Sequence, residues 1–315
     1  MFLSCGDALF DLFAMPQNSS EVSPTAISLS GDVGGSPLNV AVGMSRLGHR
    51  SGYFTKLSTD VFGQRMRKFL EINDIDTGVS VDTSLNTTLA IVETQADGSA
   101  SYVFYTDNTA DVNLTLEDLP STLGDTVTVL HFGSYSTVVE PTATTLRTLA
   151  NRETESCFIS YDPNLRPSVE PDLDKWRDAF DGFAATAKLI KASDEDIQTL
   201  FGSGKEDNFV ADCFSRGAEL VFITRGPDGS SGFARGGKQV VVPGVAVDVV
   251  DTVGAGDTFQ AAMLHYLKTN NHIDRGQLVG VVDLERATRF AISAAAITCT
   301  RAGADLPSLS DVADL

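Results

Sequence analysis

Positive charge is scarce in this chain. Its 315 residues carry 23 lysines and arginines against 42 aspartates and glutamates, a formal net charge of −19, and the isoelectric point lies near 4.4. So acidic a surface repels a phosphodiester backbone and an anionic lipid layer alike, and neither nucleic acid nor membrane is expected as a partner. A small polyanion would have to be held by a local cradle of donors together with a metal. Cysteine is also sparse: Cys5, Cys157, Cys213 and Cys299 lie far apart with no CxxC spacing. That argues against a disulfide framework and a zinc site, and fits a reducing compartment. The four histidines, His49, His131, His265 and His272, share no metal-ligand spacing. No run approaches the roughly 18 apolar residues of a membrane span. The N-terminus enters an apolar strand at once, without the basic segment of a secretory signal, so a cytoplasmic protein is expected.

Hydrophobic residues make up 42% of the chain and the mean hydropathy is +0.01, which suits a globular protein with a sizeable core. Apolar runs at 127–132, 157–161, 187–190 and 220–224 alternate with helical patterns near 38–47, 61–73, 141–151, 194–200 and 207–216. This alternation predicts an α/β fold, a mostly parallel sheet with helices on both faces and ligands at the carboxyl ends of its strands. Residues 22–30 and 87–105 break the pattern. They read as extended, with a turn at residues 96–98, and predict a small β-sheet lid formed by insertions near 14–33 and 86–108. A single domain, 1–315, carrying that lid is the simplest organisation.

The most informative stretch is Asp251-Thr-Val-Gly-Ala-Gly-Asp257. Glycines allow a tight turn that turns several amide N–H groups toward one point, and the helix expected to follow adds its own unpaired N–H groups and positive dipole end. In that helix Phe259, Ala262, Met263, Tyr266 and Leu267 fall on one apolar face. A carboxylate beside an anion cradle is electrostatically awkward unless it handles a proton, which points to phosphoryl transfer with Asp257 as base. A plain turn with Asp257 capping the helix is the alternative.

Weaker motifs surround it. In Gly34-Gly-Ser-Pro-Leu-Asn39, Ser36 reads as an N-cap, Pro37 as the first helical residue and Asn39 as an amide for sugar hydroxyls, unless the glycines mark only a turn. Asp7 and Asp11 read as flanking the first strand, either as partners of neighbouring hydroxyls or as solvated turn residues. Asp162-Pro-Asn-Leu-Arg166 offers acceptors and a planar cation suited to a phosphate or carboxylate, or else a salt-bridged loop. Thr224-Arg-Gly-Pro-Asp-Gly229 suits nucleotide phosphates or a hairpin turn into 230–235. Asp194-Glu-Asp196 suits a hydrated Mg2+ or an acidic first helical turn. Gly202-Ser-Gly-Lys205 fails as a P-loop, because Thr199 stands where the first glycine belongs and Glu206 follows the lysine.

Together these motifs resemble the ribokinase-like carbohydrate kinases of the phosphofructokinase-B type, over about residues 3 to 307. Residues 251–257 look like the C-terminal signature of that family, and Gly-Gly-Ser-Pro-Leu-Asn-Val-Ala leading to Arg46-Leu-Gly48 looks like its N-terminal one. Lys56, Asp60, Phe62-Gly63, Thr224-x-Gly226 and Thr300-Arg-Ala-Gly-Ala304 also fit. The resemblance implies a three-layer sandwich and an ATP-dependent sugar kinase using Mg2+. It implies Asp257 as general base and the amides of Gly254, Ala255 and Gly256 as the hole for the charge developing on the transferred group. Asp11, Gly34, Gly35, Asn39, Phe104 and Arg166 would face the sugar. Ser193, Thr224, Gly226, Gly229, Gly256 and Gly303 would line the nucleotide site. Asp196 would hold Mg2+ through water, although Ser193-Asp-Glu-Asp196 stands where the family often has Asn-x-x-Glu. Asp251 resembles a residue that binds a monovalent cation such as K+ in some members.

Within the family, Gly-Asp-Ala-Leu-Phe-Asp-Leu, Asp-Pro-Asn-Leu-Arg and His131-Phe-Gly-Ser resemble the fructokinase branch. The 2-keto-3-deoxygluconate kinases are the near alternative, kept open by Arg166. Thr106 and Asp107 stand where those enzymes want a cation, and an uncompensated carboxylate is costly to bury. A neutral ketohexose, above all fructose, is therefore the expected acceptor. A sugar-sensing protein that has lost the chemistry is the alternative of another class. A lid edge also invites a homodimer by strand pairing.

Overall fold

The computed structural model describes residues 1–14, 27–94 and 100–315. The first half of the chain runs β1 (Phe2–Cys5), β2 (Leu9–Ala14), β3 (Leu29–Gly34), α1 (Ser36–Arg46), β4 (Ser51–Phe54), β5 (Lys56–Ser58), α2 (Val61–Ile72), β6 (Ile75–Asp76), β7 (Val81–Thr83), β8 (Thr88–Thr94) and β9 (Ala100–Tyr105). The second half runs β10 (Val129–Gly133), α3 (Thr142–Glu153), β11 (Phe158–Asp162), α4 (Leu173–Ala184), β12 (Leu189–Ser193), α5 (Asp194–Phe201), α6 (Glu206–Arg216), β13 (Leu220–Thr224), β14 (Ser230–Ala234), β15 (Lys238–Val242), α7 (Ala255–Thr269) and α8 (Leu284–Cys299).

Nine strands form the main sheet in the order β15-β14-β13-β12-β11-β10-β1-β4-β6. Among the described residues its antiparallel pairings are β13 with β14 and β14 with β15, both at one edge. Period-two alternation assigns each face. Leu3, Leu130, Phe132, Ile159, Tyr161, Ile190, Val221 and Ile223 point toward Leu146, Leu149, Phe180, Phe183 and Phe209 of α3, α4 and α6. Phe2, Val129, Phe158, Leu189, Leu220 and Phe222 point the other way, into a core shared with α1, α7 and α8. With helices on both faces, the central strands are buried on both sides and read as nearly continuous apolar runs.

The strands expected at 157–161 and 220–224 and all five expected helices form within a few residues of their expected ends. The strand expected at 187–190 instead runs on to Ser193, through Lys191, a polar residue that marks a strand end by composition alone. Helices α4 and α8 have no counterpart in the sequence reading. The inner face of α8 mixes Ala287, Ala291 and Ala294 and the threonines Thr288 and Thr298 with Leu284 and Ile292, so its hydrophobic signal is weak.

A second, four-stranded sheet has the order β3-β2-β8-β9. Strand β2 belongs to it, so Asp11 sits within a strand of this small sheet, opposite Asp32 and Ala90, and does not flank the first strand of the main sheet. The switch follows Gly6, whose φ of +150° lets the chain leave the main sheet. Most of the segment read as extended at 22–30, and the turn at 96–98, lie outside the described residues.

Phe183 is fully buried and stacks on Tyr161 at a centroid distance of 5.3 Å, with Phe132 at 5.4 Å. Replacing Phe183 with Ala is expected to lower unfolding free energy by about 3–5 kcal/mol in urea titrations, through lost transfer energy and the cavity left behind.

Candidate active site

Strands β1, β10, β11, β12 and β13 deliver Asp7, Ser134, Asn164, Ser193 and Thr224 from their carboxyl ends to one cavity of about 610 Å3. The four-stranded sheet adds Leu9, Asp11 and Phe104 from one side, and the turn before α7 adds Thr252, Val253, Gly254, Gly256 and Asp257. Parallel strands put all their carboxyl ends on one edge, which is why residues spread over more than two hundred positions meet there.

Asp257 is held from α1. Ser36 Oγ donates to Asp257 Oδ1 at 2.6 Å and Asn39 Nδ2 donates to Oδ2 at 2.8 Å. Asn164 Nδ2 donates to Ser36 Oγ, also at 2.6 Å, so a chain of donors from β11 ends on the carboxylate. Ser36 is therefore not the N-cap of its helix. Gly35 takes that position at φ 121°, with no side-chain cap bond, and frees the hydroxyl for Asp257. Only 6% of Asp257 is exposed, yet each of its oxygens keeps a further lone pair for a ligand hydroxyl.

The turn before Asp257 opens an amide cradle. Gly254 is left-handed, with φ 78°, and caps α7. Among the three amides expected to face an anion, Ala255 N–H instead donates to Thr252 O at 3.2 Å, and Ala255 does not line the cavity. The tight turn consumes that donor. Gly254 and Gly256 line the cavity at the helix start, where N–H groups have no intrahelical acceptor.

Asp162 closes β11 and meets Lys191 of β12 in a buried ion pair, Nζ to Oδ2 at 2.5 Å. Burial pushes the Asp162 carboxyl up to about 6, against the opposing pull of Lys191. The sequence reading missed Lys191; its signal was a lone lysine in an otherwise apolar buried strand. At the other end, Arg166 Nη1 donates to Asn164 Oδ1 at 2.6 Å and to Leu165 O at 2.8 Å, with Asp7 and Asp11 close enough to feel its charge. Burial raises Asp11 to about 6, Arg166 opposing. Asp107 is exposed and does not line the cavity, because β9 ends at Tyr105 and the chain turns away. The carboxylates facing Arg166 are Asp7 and Asp11 instead.

The remaining expected residues divide by position. Ser193 and Asp196 line the cavity; Ser193 caps α5 by accepting from Asp196 N at 3.0 Å, while Asp196 Oδ1 accepts from Leu165 N at 3.1 Å. Gly34 lies behind Asp11, whose carboxyl would collide with any side chain there. Gly226 and Gly229 shape the turn from β13 into β14. Asp251 accepts from Val253 N at 3.1 Å and from Gly303 N at 2.9 Å, tying the turn before α7 to the C-terminal segment. His49 and His265, far apart in sequence, meet at 2.9 Å. Among the described residues no three His, Cys, Asp or Glu side chains cluster as a metal site, and no helix is long and apolar enough to cross a membrane.

Asp7 is 1% exposed and its Oδ1 has no hydrogen-bond partner. Burial, with Asp111 nearby, raises its carboxyl from an ordinary 3.8 to about 7. Below the ordinary value the group is protonated folded and unfolded alike and costs nothing. Above the raised value it is ionised in both states and the folded state bears the full penalty, so stability is lost as pH rises between the two. Asp7→Asn removes this dependence. Its stabilising increment in urea unfolding is expected to grow by on the order of 3 kcal/mol between about pH 5 and about pH 8. An equal increment at both pH values would contradict the raised carboxyl.

A family model for pfkB family carbohydrate kinases matches residues 1–311. A fructokinase of Rhizobium leguminosarum bv. trifolii is 36% identical over 283 residues, 89% of this chain and 84% of that protein. The crystal structure of a fructokinase from Vibrio cholerae with fructose, ADP and calcium superposes with a TM-score of 0.82 at 25% identity, covering 99% of this chain and 97% of that one. The structure of an uncharacterized sugar kinase from Pyrococcus horikoshii in complex with ATP also reaches 0.82, at 26% identity, covering 99% and 96%. With the family model spanning nearly every residue of a chain whose strand ends converge on one cavity, the protein belongs to the pfkB family of carbohydrate kinases and is a sugar phosphotransferase.

Proposed function

We propose that this kinase transfers the γ-phosphoryl group of ATP to a hydroxyl of a ketohexose, with fructose as the preferred acceptor. The observation that carries the reading is Asp257, clamped by Ser36 and Asn39 beside the Gly254–Gly256 turn in a cavity of about 610 Å3. Asp257 accepts the proton of the attacking hydroxyl while that oxygen forms its bond to phosphorus. The bond from phosphorus to the bridging oxygen breaks, and ADP leaves with the electron pair. The amides of Gly254 and Gly256 stabilise charge on the group in flight, as preorganised donors do most effectively in a site shielded from water.

Asp11, Gly35, Asn39 and Phe104 form the sugar end, beneath the four-stranded sheet, which serves as a lid on a single kinase domain. Ser193, Thr224 and the Gly226–Gly229 turn form the nucleotide end, with Gly303 near the base. Asp196 and its neighbour Glu195 both line the cavity, a sparse carboxylate set that suits Mg2+, which keeps several waters and relies on substrate phosphates for the rest. Bound there, Mg2+ would neutralise phosphate charge. Asp251 is the candidate for a monovalent-cation site. The charge of Arg166 is offset by Asp7 and Asp11, which favours a neutral sugar over a sugar acid. Exposed Leu29, Val103 and Tyr105 on the small sheet support pairing with a second copy, and the whole reading suits a cytoplasmic enzyme.

The test is ADP release from Mg-ATP against fructose, 2-keto-3-deoxygluconate, ribose, tagatose, glucose and adenosine, with and without potassium. Fructose is expected to give the highest kcat/KM; preference for the acid would move the assignment to the acid kinases, and silence on the whole panel would defeat the reading. Asp257→Asn is expected to fold normally and to lose at least about 100-fold in kcat, because a positioned base contributes roughly 10²–10⁴ in rate. Near-normal turnover by that variant would remove Asp257 from the mechanism.

A further inference from the structure

Among the described residues that line the cavity only Arg166 and Lys191 are cationic, against Asp7, Asp11, Glu195, Asp196 and Asp257. Arg166 stands at the sugar end among Asp7 and Asp11. Lys191 lies at the other end, directly under the turn that opens α7: a Cβ placed on Gly256 would stand 3.1 Å from its Nζ. The residue is 4% exposed, and among the described residues its only hydrogen-bond acceptor is Asp162 Oδ2.

A lysine has three hydrogens to donate, so two are left beyond the one given to Asp162. A merely structural bridge fits poorly. Buried ion pairs seldom stabilise a core better than apolar side chains of similar size. The bridge is also incomplete, since Asp162 Oδ1 has no partner. Polyanion binding in this chain depends on local positive groups, and among the described residues lining the cavity Lys191 is the cation beside Gly256.

Resting on the phosphoryl-transfer reading above, we propose that Lys191 is a catalytic residue whose ammonium donates to an oxygen of the phosphoryl group in flight, and that Asp162 is the positioning residue that aims it. The ammonium adds to the backbone donors of Gly254 and Gly256. It enters as a hydrogen-bond donor and leaves unchanged; bonds made and broken are those already described, and the hydroxyl proton still goes to Asp257.

The experiment compares wild type with Lys191→Met, Asp162→Asn and the double variant Lys191→Met/Asp162→Asn. The double variant removes both charges together and so leaves no unpaired buried carboxylate to unfold the protein. Steady-state kinetics on Mg-ATP and fructose are read beside binding of ADP alone and of ADP with aluminium fluoride and sugar, a mimic of the transferring group. Lys191→Met and the double variant are expected to lose about 100-fold or more in kcat, the effect of one lost oxyanion donor. Both should keep KM for fructose and affinity for ADP within about threefold, while binding of the aluminium fluoride complex weakens in step with kcat. Asp162→Asn keeps an acceptor for Lys191 and should lower kcat alone, by less. A folded double variant with wild-type kcat would overturn the proposal, as would equal losses in ADP binding and turnover. Absence of turnover in wild type on every sugar would instead sink the underlying kinase reading.

Discussion

The grip of Ser36 and Asn39 on the two oxygens of Asp257 is the interaction around which the cavity is organised. It joins helices α1 and α7 across 221 and 218 residues of sequence. Both helices pack on the same face of the main sheet, with Val40 and Met44 of α1 in one core with Phe259, Met263 and Leu267 of α7. Apolar burial sets the depth of the two helix starts, and the polar clamp then sets their register. Since each oxygen of Asp257 is anchored by a neutral donor, the carboxylate is oriented without being neutralised by a cation. That arrangement suits a group that must accept a proton.

Electrostatics explains how a chain with a net charge of −19 can handle a polyanion. The acidic surplus lies largely on solvated surface, while the cavity sorts its charges by end. Asp7 and Asp11 flank Arg166 beneath the small sheet. Backbone amides, the start of α7 and Lys191 occupy the opposite end, where helix dipole and unpaired N–H groups favour negative charge. Removing water from such an arrangement strengthens every one of these interactions.

Much of the fold was legible in the chain because parallel strands and amphipathic helices leave strong periodic signals. The strand at 220–224 and the helices near 61–73 and 194–200 were readable from apolar runs alternating with helical patterns. Helix α8 was not, since alanine and threonine bury without announcing themselves. Asp11 reads as flanking the first strand for another reason: Leu9–Ala14 is as apolar as a core strand, and the turn at Gly6 sends it to the second sheet. Part of the site was equally legible. Gly-Ala-Gly-Asp and Gly-Gly-Ser-Pro-Leu-Asn carry backbone requirements that sequence shows directly, and both reach the cavity.

Roles that depend on who stands opposite were decided only by the fold. Ser36 reads as a helix cap in isolation, and becomes a donor to Asp257 once Gly35 takes the cap. Ala255 reads as a cradle amide, and loses that N–H to Thr252 within the turn. Asp107 reads as a carboxylate facing the substrate, and ends exposed to solvent, while Asp7 and Asp11 face Arg166. Lys191 reads as the end of a strand, and lies buried against Asp162. The sequence by itself determined the layered architecture and the two glycine motifs, because periodicity and backbone freedom are local properties. Hydrogen-bond partners and charge environments belong to pairs of residues distant along the chain, so only the tertiary structure decided them.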